Sequence, residues 1–297
     1  MFYRFLVAVS RVAGLWLVRV SAAVIAAGYF VLLPRRRRAS VSFYRALFPE
    51  RSPLAALACA WRQYLDFASI YTERLEVERR SDIRFDREGE QHLDAARAAG
   101  HGAILLMSHF GRWEIGARLL GKRHPGLTLM MGGLADGGAR GGVDSDLRAA
   151  GIEVVTVPGG QGRPLDILQA LQCLREGGVV SLAADRGYGA ARKLRLPFLG
   201  HEVEVTVAPF ALALASGAPI LLVFAVKLGA RHYRFICDPP LQLSAPTRRD
   251  REPAMAQAAT AYLARLHEMA RAYPEQWQTF GAFLSPRPPS APGTEAT

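Results

Sequence analysis

Paired cysteines are missing from this sequence. Cys59, Cys173 and Cys237 stand far apart in apolar surroundings, and no two have the spacing of a metal site or a redox motif. They read as buried thiols of a reducing compartment. The seven histidines form no zinc pattern either, so no metal is expected. No G-x-S-x-G occurs, which removes the nucleophile elbow of a serine esterase. No G-x-x-x-x-G-K-[ST] occurs, and the glycine-rich run 132–142 does not match a dinucleotide fingerprint. That run reads as a loop over the site, with a phosphate cradle as the alternative. Internal repeats are also absent.

Acidic residues are missing from one end. The first 48 residues hold eight arginines and no aspartate or glutamate, whereas the other 249 carry 29 basic and 26 acidic side chains. The net charge of +11 therefore belongs mainly to the N-terminal part. That placement points to a membrane surface and away from a nucleic-acid-binding face. Val12 to Leu33 has Arg19 as its only charge and is long enough to cross a bilayer as a helix. A helix lying in the membrane plane fits as well, because Arg4 and Arg11 make the other flank basic. Arg35 to Arg38 follow, and the positive-inside rule puts them and the following domain in the cytoplasm. Four regions result: a membrane-anchoring helix at 1–34, a basic and helical segment at 35–100, an α/β domain at 101–284, and a disordered Pro/Ser/Gly-rich tail at 285–297.

What is present is a chain that is 50% hydrophobic, with a mean hydropathy of +0.09, enough to bury a large α/β core. Ser52 and Pro53 open a helix with Leu54, Leu57, Trp61, Tyr64 and Ala68 on one face, and strand fragments are expected around Leu75 and Ile83. Ala103 to Met107 is the signature of a buried strand, and Arg112 to Leu120 carries a helical pattern. His109 lies in the turn between them, at the sheet edge where open α/β folds bind ligands. Glu114, five positions on, could hold one imidazole nitrogen and leave the other as a base. The alternative is a structural one, with His109 capping the helix and Glu114 favouring its positive end.

Further strands are expected at 127–131, 152–157, 179–183, 220–226 and 233–236, and helices at 165–174, 205–216 and 253–273. Arg163 precedes a helix, where a cation and free amides could hold an anion. Asp185 and Arg186 follow a strand on the same sheet edge as His109. Arg112 and Arg186 could each bind phosphate or face solvent. Phe198, in the apolar turn Pro197 to Gly200, is a candidate for lining an acyl groove. Ser108, Phe110, Trp61 and Trp113 read as packing residues.

These pieces together resemble the bacterial lipid A late (secondary) acyltransferases, within the glycerolipid and lysophospholipid acyltransferase superfamily. The resemblance rests on His109 with Glu114, on Gly162-Arg163 through Gly177-Gly178 to Asp185, on Pro197 to Gly200, on Leu212 to Pro219, and on PEQW at 274–277. Asp185-Arg186 stands where the family commonly has Asp-Gln, and QTFGAFLSP replaces its usual basic-aromatic continuation. The resemblance implies a mixed sheet flanked by helices and direct acyl transfer from a thioester to a hydroxyl, without an acyl-enzyme. His109 would be the base, Glu114 its partner, and Arg163, Asp185, Arg186, Arg112 and Phe198 substrate contacts. No bound cofactor is implied, since acyl carrier protein or coenzyme A brings the acyl group as co-substrate. The acceptor would be a lipid A precursor at the bacterial inner membrane. A lysophospholipid, mannolipid or aminolipid acceptor is the alternative, as is a catalytically silent membrane scaffold.

Overall fold

The structure, a computed structural model, describes residues 14–80, 82–124, 127–132, 147–149, 151–157, 164–185, 192–279 and 283–284. Arg163, Arg186, most of the glycine-rich run and the tail from 285 lie outside the described residues.

Three helices come first: α1 (Leu15–Leu32), α2 (Pro34–Leu47) and α3 (Pro53–Arg79). Pro53 sits in the first turn of α3, and the Ser52 hydroxyl accepts from the Ala55 amide, the expected start signal. The helix runs further than its sequence suggested. Leu75, expected in a strand fragment, is fully buried on α3 beside Val18 of α1, while Leu54 is 77% exposed. The polar residues of this stretch stay helical because they find charged partners across the molecule.

The α/β part follows as β1 (Arg84–Glu88), α4 (Glu90–Ala98), β2 (Ala103–Met107), α5 (Trp113–Gly121), β3 (Leu127–Gly132) and β4 (Glu153–Val157). Then come α6 (Pro164–Arg175), β5 (Val179–Ala183), β6 (Lys193–Phe198), β7 (His201–Thr206), α7 (Ala208–Ser216), β8 (Ile220–Gly229), β9 (His232–Cys237) and α8 (Arg251–Ala272). Val205 and Thr206, read from sequence as the start of a helix, instead finish β7. The turn of the β6–β7 hairpin is Leu199-Gly200, with Leu199 at φ 52°.

Seven strands form one sheet in the order β1-β9-β8-β2-β5-β3-β4, and β6-β7 form a separate pair. Within the large sheet only β8–β9 is antiparallel. Its central strands are apolar on both faces because both faces are covered. Ile104, Leu106, Val180 and Leu222 pack on the side of α6, α7 and α8. Leu105, Val179, Leu221 and Val223 pack on the side of α4 and α5. The fold is thus α/β, with a mixed central sheet flanked by helices and an apolar N-terminal helix.

The chain leaves β2 toward α5 on one face and leaves β5 toward β6, β7 and α7 on the other. The C-terminal ends of these neighbouring strands therefore border a topological switch point, where open α/β sheets form their crevice.

Candidate active site

Strands β2 and β5 run parallel with Met107 opposite Ala183. His109 and Asp185 each lie two residues beyond that pair, so the register alone carries them to the same place. The Asp185 Oδ1 accepts from His109 Nδ1 at 2.8 Å, and its Oδ2 accepts from the His109 backbone amide at 2.8 Å. Oδ2 also accepts from the Trp277 indole Nε1 at 3.1 Å. A carboxylate on Nδ1 fixes the tautomer with the proton there and leaves Nε2 as an acceptor. The side chain of His109 is 16% exposed and that of Asp185 2%. Burial pushes the Asp185 carboxyl up. The adjacent imidazole and the hydrogen bonds from His109 and Trp277 outweigh it and hold the group below the usual carboxylate range.

Glu114 does not take the Nδ1 position that its spacing suggested. It stands in the first turn of α5 and pairs with Arg74 of α3 at 3.5 Å, lining a small cavity with Phe67, Tyr71 and Trp113. The neighbouring strand reaches the imidazole first, because its backbone is already in register.

Arg112 is also not where either sequence reading put it. Its side chain is fully buried and binds neither solvent nor an exposed anion. Nη1 donates to Asp66 Oδ2 at 2.8 Å, Nη2 to Ser69 Oγ at 3.0 Å and to Glu73 Oε1 at 3.1 Å. Lys227 Nζ completes the cluster on Glu73 Oε1 at 2.6 Å. Two cations thus face two carboxylates, which is how buried charge is tolerated. The pKa of Glu73 is raised by burial but lowered more by Arg112 and Lys227, and ends below its ordinary value.

The turn itself is braced from the C-terminal side. Gly111 N donates to Gln276 O at 2.8 Å, Gln278 N to His109 O at 2.8 Å, and Gln278 Nε2 to Gly111 O at 2.9 Å. Gln276 in turn bonds both backbone groups of Lys227. Gly111 has φ 66°, and a Cβ there would lie 2.0 Å from the Ala225 carbonyl oxygen, so only glycine fits. Ser108 exchanges a hydrogen bond of 2.8 Å with Tyr262, a structural role.

Phe198 is 6% exposed and packs edge-on against Trp277 and Phe283, behind the indole that holds Asp185. Its observed contacts are those of a support for the site. Burial pushes the Cys237 thiol up to about 12, far from a nucleophile's range. Sequence reasoning missed Trp277 as a partner of Asp185, since nothing local marks an indole as a donor. It also missed Asp66, Ser69 and Glu73. Their i, i+3, i+7 spacing, a polar stripe on one helix face, was the available signal.

Residues of this chain are 32% identical over 133 positions to a phosphatidylinositol mannoside acyltransferase of Mycobacterium tuberculosis, spanning 45% of this chain and 41% of that protein. A phosphatidylinositol mannoside acyltransferase of Mycolicibacterium smegmatis is 25% identical over 170 residues, 57% of this chain and 53% of its own length. The chain thus matches about half the length of these relatives or less. A family profile described as bacterial lipid A biosynthesis acyltransferase matches residues 52–282, a stretch that holds His109, Asp185 and Trp277 alike. With that span matched, the chain belongs to the bacterial lipid A biosynthesis acyltransferase family.

Proposed function

We propose that this protein transfers a fatty acyl group from a thioester to a hydroxyl of a membrane glycolipid, with His109 as the base. The observation that carries the reading is the buried Asp185 carboxylate on His109 Nδ1, at 2.8 Å, just beyond the C-terminal ends of β2 and β5. Nε2 takes the proton of the acceptor hydroxyl as its oxygen attacks the thioester carbonyl. The new C–O bond forms, the C–S bond breaks, and the imidazolium returns its proton to the leaving thiolate. Asp185 keeps the ring in the required tautomer and stabilises the transient imidazolium. The thioester is carried by acyl carrier protein or coenzyme A.

For the acceptor, the mannoside-acylating relatives favour a mannose-bearing lipid, and the family description favours a lipid A precursor. The exposed apolar face of α1, with Trp16, Val20, Val24 and Val31 outward, supports attachment to a membrane. The arginines at 35–38 support the cytoplasmic side of the bacterial inner membrane.

The test is mass spectrometry of lipids from the producing cell with the gene deleted, restored, or restored as His109→Ala. One lipid should lose one acyl group on deletion and regain it only with the unaltered gene. Full restoration by His109→Ala would remove His109 as the base.

A further inference from the structure

An apolar cleft of about 590 Å³ runs between α1 and α3, a volume typical of small-ligand sites. It exists because small side chains face each other there: Ala22 and Ala26 on α1, and Ala68 on α3. Phe67 and Tyr71 wall it on the α3 side, and among the described residues Arg36 of α2 is its only charged lining residue. Arg37, beside it in sequence, stands over the Phe30 ring at 5.7 Å, and both arginines act electrostatically on the Tyr64 hydroxyl. A cavity with an apolar length and a cationic end suits an amphiphile with one anionic end.

We infer that this cleft holds an acyl chain of an anionic bilayer phospholipid, whose phosphate is met by Arg36. The charge is complementary, since among the described residues no aspartate or glutamate lines the cleft. The cleft also continues the exposed apolar surface of α1, where Tyr29 and Ile25 line it while half open to the outside. A chain can therefore enter sideways from a membrane without its phosphate leaving the interface. Phe67 and Tyr71 separate this cleft from the cavity beside Glu114, since both line the two. The occupant is a lipid neighbour of the proposed reaction site, and the inference stands whether or not His109 acts as a base.

The full chain in nanodiscs of phosphatidylcholine, doped with phosphatidylglycerol bearing a diazirine in its acyl chain, gives the test. On irradiation the adducts should map by peptide mass spectrometry to Phe67, Ala68 and Tyr71 as well as to the outer residues Trp16 and Val24. Ala68→Trp, which fills the cleft, should lower the cleft adducts about tenfold and leave those on Trp16 and Val24 unchanged. Ala22→Leu is the milder filling variant if Ala68→Trp lowers the thermal midpoint. Arg36→Gln should cut the preference for phosphatidylglycerol over an equally labelled phosphatidylcholine about fivefold. Adducts confined to the outer face would overturn the inference. So would cleft adducts that survive both filling variants, or peptides of a second copy cross-linked there.

Discussion

Three N–H donors converge on the Asp185 carboxylate, and they are not equivalent. Two come from His109 itself, and the third, from Trp277, is the one that can be removed without touching the base. Trp277→Phe keeps a ring against Phe43, Phe198 and Phe283 but deletes the donor. Losing a hydrogen bond to an ionised group should raise the pKa of the Asp185 carboxyl by about one unit. The Asp185 carboxyl carbon, followed by carbon-13 NMR, would titrate at a correspondingly higher pH, an effect that mere loosening of the core would not give. Asp185→Asn should lower kcat by a factor of about 10⁴, as loss of the tautomer-fixing carboxylate does in a serine–histidine–aspartate triad. Glu114→Gln should act on stability or KM and leave that titration in place, since Glu114 sits on Arg74. Equal losses of kcat for the two variants would reinstate Glu114 at the imidazole. Both His109 and Asp185 could be placed at a sheet edge from sequence, because strand ends are marked by apolar runs. Their pairing could not, because 76 residues separate them and Glu114 competes by proximity along the chain.

At the scale of elements, α3 is the hub that sequence patterning described least well. Its first half carries a recognisable apolar stripe. Its second half looks like a solvated, charged segment, and yet Glu73 and Arg74 are buried. Burial of such groups depends on partners elsewhere: Arg112 lies 39 residues from Glu73 and 46 from Asp66. Nothing within a window of sequence announces that match. Arg112→Met should destabilise the protein by about 3–5 kcal/mol in urea unfolding, because it leaves Asp66 and Glu73 without their main cation. Arg112→Lys should not restore it, since one ammonium cannot span two carboxylates. An unchanged unfolding midpoint for Arg112→Met would mean the cluster contributes little. Gly111→Ala should prevent the turn from closing on β8, visible as loss of a cooperative thermal transition.

For the molecule as a whole, acid sensitivity follows from the same buried carboxylates. Asp185 and Glu73 are both held below their ordinary values, about 4 in an unfolded chain. Their stabilising contribution is therefore complete above about pH 4 and is lost as pH falls through the folded-state values. Unfolding midpoints measured from pH 7 down to pH 3 should hold and then drop, and the drop should be shallower in Asp185→Asn. The exposed apolar surface of the N-terminal helix belongs to another part of the molecule. α1 packs its inner face on α3, with Arg19 paired to Glu76, and leaves Val20 and Val24 outward. Val20→Asp with Val24→Asp should shift the protein from floating vesicles to the soluble fraction, since each charge costs about 3 kcal/mol in an apolar membrane environment. Unchanged flotation would assign attachment to another surface.

The brace from Gln276 to Gln278 also gives the site a history. Gln278 lies 167 residues beyond the Gly111 carbonyl that it holds. At ordinary translation speeds that distance corresponds to roughly 10–30 s. During that interval α1 has already left the ribosome, while the histidine turn lacks its clasp. The growing chain thus exposes its apolar N-terminal helix before the residues that close the histidine turn have been made.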